Sequence, residues 1–222
     1  MKKVLIFGGI GGATTVGAAL IDANRRGYNE YELAGYLNDS SIGEEFEGYP
    51  VLGGKNDIPR FVKEGYYFIN TVYKIDGQVE RKNLFNSLNI PEERLAIFVH
   101  PLAYIAHNVV LSPGCIIMPG ATISSNTVLG KCCRVMAGAF IGHDNVIGEH
   151  CFFAANSCIG SDNVIESWSY FGFNCTTRGK LKFGEFSVIG IGSVVVKDVE
   201  AYSVVYGNPA KFQRFVNDKE NV

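Results

Sequence analysis

His143 and Asp144 are the adjacent pair in this chain best suited to moving a proton, and they stand in the run Ile141-Gly142-His143-Asp144-Asn145-Val146-Ile147-Gly148. A histidine titrates near neutrality and can take a proton from an amine or hydroxyl as that group attacks. A neighbouring carboxylate fixes the ring tautomer and stabilises the imidazolium. A second group of residues opens the chain, where Gly8-Gly9-Ile10-Gly11-Gly12-Ala13-Thr14 follows the short apolar run at residues 2–7. Glycines at such a place let backbone N–H groups approach a phosphate at a helix N-terminus. Gly9-x-Gly11-x-x-Thr14 lacks the third glycine of a dinucleotide fingerprint, so it reads equally well as a tight strand-to-helix turn.

The elements that must position His143 are set by a six-residue period. From Ile105 to Val195 every sixth residue is large and apolar except Thr177, and the fifth residue of each hexapeptide is small or short, with Leu181 the misfit. A helix repeats every 3.6 residues and a strand every two, so neither explains the pattern. Short strands separated by turns do explain it, with three hexapeptides to a coil and about five coils stacked ~4.8 Å apart. Residues eighteen apart then lie above one another. His143 stands at a corner facing outward, with Ser161, Gly179 and Lys197 in its column, a span of ~14 Å.

Before the repeat, residues 2–7 form a strand, a helix runs to about Arg26, and residues 33–37 form a second strand ending at Asn38-Asp39. A helix capped by Asn56 or Asp57, a strand near residues 67–72, a helix near residues 79–88 and a strand at residues 96–99 complete a small parallel-sheet domain. It is too short for a two-half dinucleotide fold, which argues against hydride chemistry. The boundary is placed between residues 1–101 and 102–222, and the polar tail beyond Lys211 is expected as a short helix.

With 222 residues and a net charge of −2, the chain has room for two domains and lacks the basic surface of a nucleic-acid binder. Val4–Phe7 is too short for a signal peptide or membrane span, so a cytoplasmic protein is expected. All six cysteines fall in the repeat. Four of them, Cys115, Cys133, Cys151 and Cys175, occupy the small position and are expected to pack rather than react.

The glycine-turn domain, the hexapeptide repeat and the ending Gly207-Asn208-Pro209-Ala210-Lys211 together resemble one family. These are the hexapeptide-repeat sugar acetyltransferases of the sialic acid O-acetyltransferase and nucleotide-linked amino-sugar N-acetyltransferase type. The resemblance implies an α/β, Rossmann-like N-terminal domain followed by an all-β left-handed parallel β-helix. It also implies an acetyl-CoA-dependent N-acetyltransferase of a nucleotide-linked amino sugar, a homotrimer with its site between subunits, and no metal. His143 is then the general base and Asp144 its partner, in place of the family's more usual Glu. Acetyl-CoA is expected along Ser161, Phe173, Arg178, Lys180, Gly190, Ile191, Lys197 and Lys211, with the Ser161 N–H as oxyanion donor. The sugar nucleotide is expected against Ile10, Gly11, Gly12, Asn38, Asp39 and Asn70. Two features depart from the family pattern: Phe152 stands where a second histidine is often found, and Gly12 where the glycine loop often carries one.

Three other readings compete. O-acetylation of a sialic acid or related sugar uses the same machinery. A non-catalytic nucleotide-sugar-binding trimer would not need the His143-Asp144 pair. A zinc lyase resembling the γ-type carbonic anhydrases would use His107 and His143, two coils apart, but its third ligand position holds Gly148.

Overall fold

The computed structural model describes residues 1–216. β1 (Lys2–Phe7) is buried from Val4 onward, as a strand covered on both faces must be. α1 (Ile10–Arg25) follows, then β2 (Tyr31–Leu37), β3 (Glu45–Phe46), β4 (Tyr49–Gly53), α2 (Ile58–Lys63), β5 (Tyr67–Asn70) and α3 (Gln78–Ser87). The sheet order is β3-β4-β2-β1-β5, parallel except for the β3–β4 pair. α1 packs Ala13, Val16 and Leu20 against Val4, Ile6 and Tyr36 on one face. Ile58 and Phe61 of α2 and Leu84 and Phe85 of α3 pack near Leu5, Phe7 and Phe68 on the other. The β3–β4 hairpin is absent from the sequence reading. Its turn residues Glu47 and Gly48 both have positive φ, the conformation of a two-residue hairpin turn, so Glu-Gly was the available signal.

The strand expected at residues 96–99 serves both halves of the molecule. Ala96 N–H donates to Phe68 O at the edge of the first sheet, whereas Phe98 and Val99 pair with Ile116 and Ile117. From there the register advances by eighteen residues per coil, as in Thr122↔Phe140, Val128↔Val146 and Arg134↔Phe152. Three sheets of six, five and eight strands form the walls of a parallel β-helix, which is longer than the repeat count implied. The third sheet ends in a hairpin of Ser203–Gly207 and Ala210–Phe215. Residues 210–215 are therefore a strand where the sequence reading expects tail and short helix; residues 217–222 lie outside the described part.

The interior is the predicted column of apolar residues, with Phe153 and Phe171 stacked at 4.9 Å and each fully buried aliphatic contributing about 2 kcal/mol. Thr177 belongs to this interior despite its hydroxyl, because its Oγ1 accepts the Gly160 N–H at 3.0 Å. Cys115, Cys133, Cys151 and Cys175 are buried and all six cysteines are free thiols. The fourth residue of every hexapeptide from Gly114 to Gly192 has a left-handed φ. Glycine, asparagine and aspartate tolerate that conformation best and fill nine of these fourteen places.

Only one wall is covered by the N-terminal domain. Its outward residues Ile116, Arg134, Tyr170 and Val188 are buried, whereas Val110, Val128, Val146 and Val164 stack exposed on another wall. Among the described residues, no helix is long and apolar enough to cross a membrane.

Candidate active site

His143 lies on an edge of the β-helix, between the strands Phe140–Ile141 and Val146–Ile147. The next coil passes so close to the preceding residue that a Cβ on Gly142 would lie 2.5 Å from Ser161 Oγ and 2.9 Å from the Gly160 carbonyl carbon. Asp144 takes the left-handed turn, with φ of 56°. That turn brings its Oδ2 to 2.6 Å from His143 Nδ1. Oδ1 accepts Asn126 Nδ2–H at 2.9 Å, and Asn108 bonds to Asn126 in the coil below. The His143 hydrogen bond, then the Asn126 bond, hold the Asp144 carboxyl below the usual carboxylate range. An ionised carboxylate only accepts, so Nδ1 carries the proton and Nε2 keeps its lone pair for use as a base. The histidine side chain is 54% exposed, open to a substrate.

The edge is stiffened from inside. Asn145 and Asn163, both fully buried, donate to the Gly142 and Gly160 carbonyls, and their own oxygens accept N–H groups of the next coil. His143 N–H donates to Ser161 Oγ at 3.2 Å, so the expected neighbours do meet. Arg178 and Lys180 lie on the same edge, exposed, and Lys180 N–H donates to Ser161 O. Asp162, missed in the sequence, completes a group in which the ligand atoms of His143, Asp144 and Asp162 lie within 4.8 Å of one another. All three are exposed, and three ligands leave a divalent cation short of a full shell.

Of the remaining residues expected along acetyl-CoA, three lie on another edge, and Lys197, at the far end of the His143 column, lies with Lys211 by the last coil. The exposed Phe173 and Ile191 are each twelve residues beyond a whole number of coils from His143, which puts them, with Gly190 beside Ile191, on another edge of the prism. Lys197 and Lys211 line a cleft of about 570 Å³ between the last coil and the C-terminal hairpin, with Pro209, Phe212 and Phe215. A single chain therefore does not gather the whole set around His143.

In the first domain, Ile10, Gly11 and Gly12 line a cavity of about 340 Å³ at the carboxyl ends of β1 and β5, where the strand order reverses. That is where open parallel sheets bind ligands. Asn38 has both ends of its amide occupied: Nδ2 donates to Gly8 O and Oδ1 accepts Ser40 N–H, so it shapes the glycine turn. Asp39 Oδ1 accepts Lys55 N–H at 2.7 Å, and its Oδ2 lies 3.8 Å from Lys55 Nζ. Asn70 Oδ1 accepts Val72 N–H. Of the other histidines, two are packed and one is exposed. His107 is exposed two coils from His143. Buried His100 donates Nε2–H to Asp22 and accepts Leu102 N–H at Nδ1, tying α1 to the junction. His150 is stacked on Trp168 at 3.9 Å, and burial followed by nearby cations lowers its pKa to about 3.

Two arginines in the seam between the halves were not singled out from the sequence. Arg134 is 8% exposed, donates Nη2–H to Asn70 O at 2.8 Å and lies 5.3 Å from the Phe152 ring. Arg81 lies 5.0 Å from Tyr73 and 5.4 Å from Trp168. Among the described residues, neither forms an ion pair with a carboxylate. Burying a guanidinium costs several kcal/mol, and an aromatic face returns about 2 kcal/mol at best. Desolvation, then repulsion from Arg81, lowers the Arg134 pKa to about 10.

No family model matches the chain. Over 45 residues it is 42% identical to serine acetyltransferase 4 of Arabidopsis thaliana, a match spanning 20% of this chain and 13% of that protein. Solved structures match far more of it. A variant of GDP-perosamine N-acetyltransferase from Caulobacter crescentus, solved with CoA and GDP-perosamine, aligns over 96% of this chain and 98% of its own, at 21% identity and a TM-score of 0.81. The acetyltransferase domain of PglB from Neisseria gonorrhoeae aligns over 96% and 100%, at 24% identity and a TM-score of 0.79. WeeI from Acinetobacter baumannii aligns over the same shares, at 24% identity and a TM-score of 0.75. The chain therefore has the fold of these proteins, a small Rossmann-like domain followed by a left-handed parallel β-helix.

Proposed function

We propose that this protein is an acetyl-CoA-dependent acetyltransferase that acetylates the amino group of a nucleotide-linked amino sugar. The observation that carries the reading is the 2.6 Å contact between His143 Nδ1 and Asp144 Oδ2 on an exposed edge. His143 Nε2 takes the proton from the acceptor amine as that amine attacks the thioester carbonyl. The Ser161 N–H is assigned to the developing oxyanion, and the tetrahedral intermediate collapses with loss of the CoA thiolate. Direct attack requires neither an acyl-enzyme nor a metal. A solved protein of the same fold holds CoA and GDP-perosamine together, which supports pairing these two substrate classes here.

On this reading residues 1–101 hold the nucleotide and residues 102–222 carry the chemistry, in a cytoplasmic homotrimer. The exposed column Val110, Val128, Val146 and Val164 is the apolar face a neighbouring subunit would cover. Phe173, Arg178, Lys180, Gly190, Ile191, Lys197 and Lys211 are assigned to acetyl-CoA, and Ile10, Gly11, Gly12, Asn38, Asp39 and Asn70 to the sugar nucleotide. The test is thiol release from acetyl-CoA with UDP-, GDP- and CMP-linked amino sugars and free sialic acids, with the product's mass measured. Release with a nucleotide amino sugar and a single added acetyl supports the reading, and release with sialic acid alone would replace it by O-acetylation.

A further inference from the structure

We infer that Arg134, reaching from the β-helix with Arg81 behind it, forms the cationic wall of a pyrophosphate site whose other wall is the N-terminal turn of α1. The inference rests on the proposed sugar-nucleotide reading and adds a residue from the second domain to it. Three observations converge on one cavity. First, α1 begins at Gly9 with no side-chain cap and no acidic residue in its first turn, so nothing from its own sequence satisfies its free N–H groups. Second, a Cβ on Gly9 or Gly11 would meet no atom within 4 Å, so the turn is open on the cavity side. Third, Arg134 lines the same cavity while more than nine-tenths buried, with Asn70 O as its hydrogen-bonded partner and no carboxylate paired to it.

A buried cation without a counter-ion is the kind of group an anionic ligand completes. Arg134 is the guanidinium that lines the cavity, and it faces the positive end of the α1 dipole across it. Both attract a pyrophosphate diester, with its charge of −2, more strongly than the single charge of a CMP-linked sugar, which favours a nucleoside diphosphate as the handle of the acceptor. CoA, the other phosphate-bearing candidate, is placed by the reading on the edges of the β-helix away from this cavity.

The experiment compares wild type with Arg134→Met and Arg134→Lys in phosphate-free buffer. Binding of inorganic pyrophosphate, UDP, GDP, CMP, uridine, guanosine and CoA is followed by melting temperature and by fluorescence of Trp168, the chain's single tryptophan, which lies against Arg81. Pyrophosphate is expected to raise the wild-type melting temperature and not that of Arg134→Met. Arg134→Met should bind UDP or GDP at least ten-fold more weakly, with CoA and nucleoside binding unchanged and Arg134→Lys in between. Without the ligand, Arg134→Met should melt no lower than wild type. If it melts lower, the arginine is structural and the inference is overturned. Equal binding of UDP and GDP to wild type and both variants would also overturn it while leaving the sugar-nucleotide reading intact. Arg134-dependent pyrophosphate binding without acetyl transfer to any nucleotide sugar would leave the site standing and remove that reading.

Discussion

The edge that carries His143 and the seam that carries Arg134 are built from the same repeat and end in opposite electrostatic states. On the edge the groups are exposed, and the reactive two are partnered: Asp144 by His143 and Asn126, and the histidine by its carboxylate. In the seam, Arg81 and Arg134 are desolvated and face aromatic rings. The exposed pair can exchange protons with a substrate and with water. The buried Arg134 and the half-buried Arg81 cannot do so cheaply and are suited to holding fixed charge. On the proposed reading, proton transfer belongs to the edge and anion recognition to the seam.

The comparison breaks most sharply at His143. His143→Ala should lower kcat about 10²–10⁴-fold, the usual worth of a general base, with melting unchanged. A kcat within a few-fold of wild type would move the base elsewhere. Asp144→Asn should cost less, about ten-fold, because it removes the orienting carboxylate and leaves the ring. The His143 hydrogen bond, then the Asn126 bond, hold Asp144 below the usual carboxylate range, so it is the ionised form that orients the ring. A kcat of Asp144→Asn equal to wild type would remove that orienting role.

The seam offers a smaller effect on stability. His150 is held neutral, with its pKa lowered from 6.5 to about 3, so its contribution is complete above pH 6.5. Below that pH the unfolded chain takes up the proton first, and stability should fall by up to about 1.4 kcal/mol per pH unit until near pH 3. His150→Phe should flatten that part of the curve of melting temperature against pH. An equally steep decline in the variant would assign the acid sensitivity to other groups.

The contrast also explains what was legible in the sequence. The edge is periodic, so counting by eighteen placed Ser161 beside His143 and put Lys180 on the same edge. The left-handed turn at Asp144 went unread, because the fourth hexapeptide position also holds cysteine, histidine, tryptophan, lysine and phenylalanine. The seam was hidden for another reason. Arg134 occupies an outward strand position, and outward apolar residues occur on all three walls, with Tyr104 and Phe140 on one, the valines on another, and Ile116 and Phe152 on the third. Nothing periodic says which wall a separate domain will cover, so a buried arginine looked like a surface one. Asn145 and Asn163 were read as merely small fifth residues, although their amides tie successive coils together.

The central claim is a division of labour between the halves, and separate titrations of the two substrates in Asp39→Ala test it most directly. Asp39 lies just past β2 in the first domain, with Lys55 as its partner. The expected result is a KM for the nucleotide sugar raised tens-fold, an acetyl-CoA KM nearly unchanged and a melting temperature close to wild type. An equal rise in both KM values, or an unchanged sugar KM, would contradict the account and place the acceptor outside the first domain.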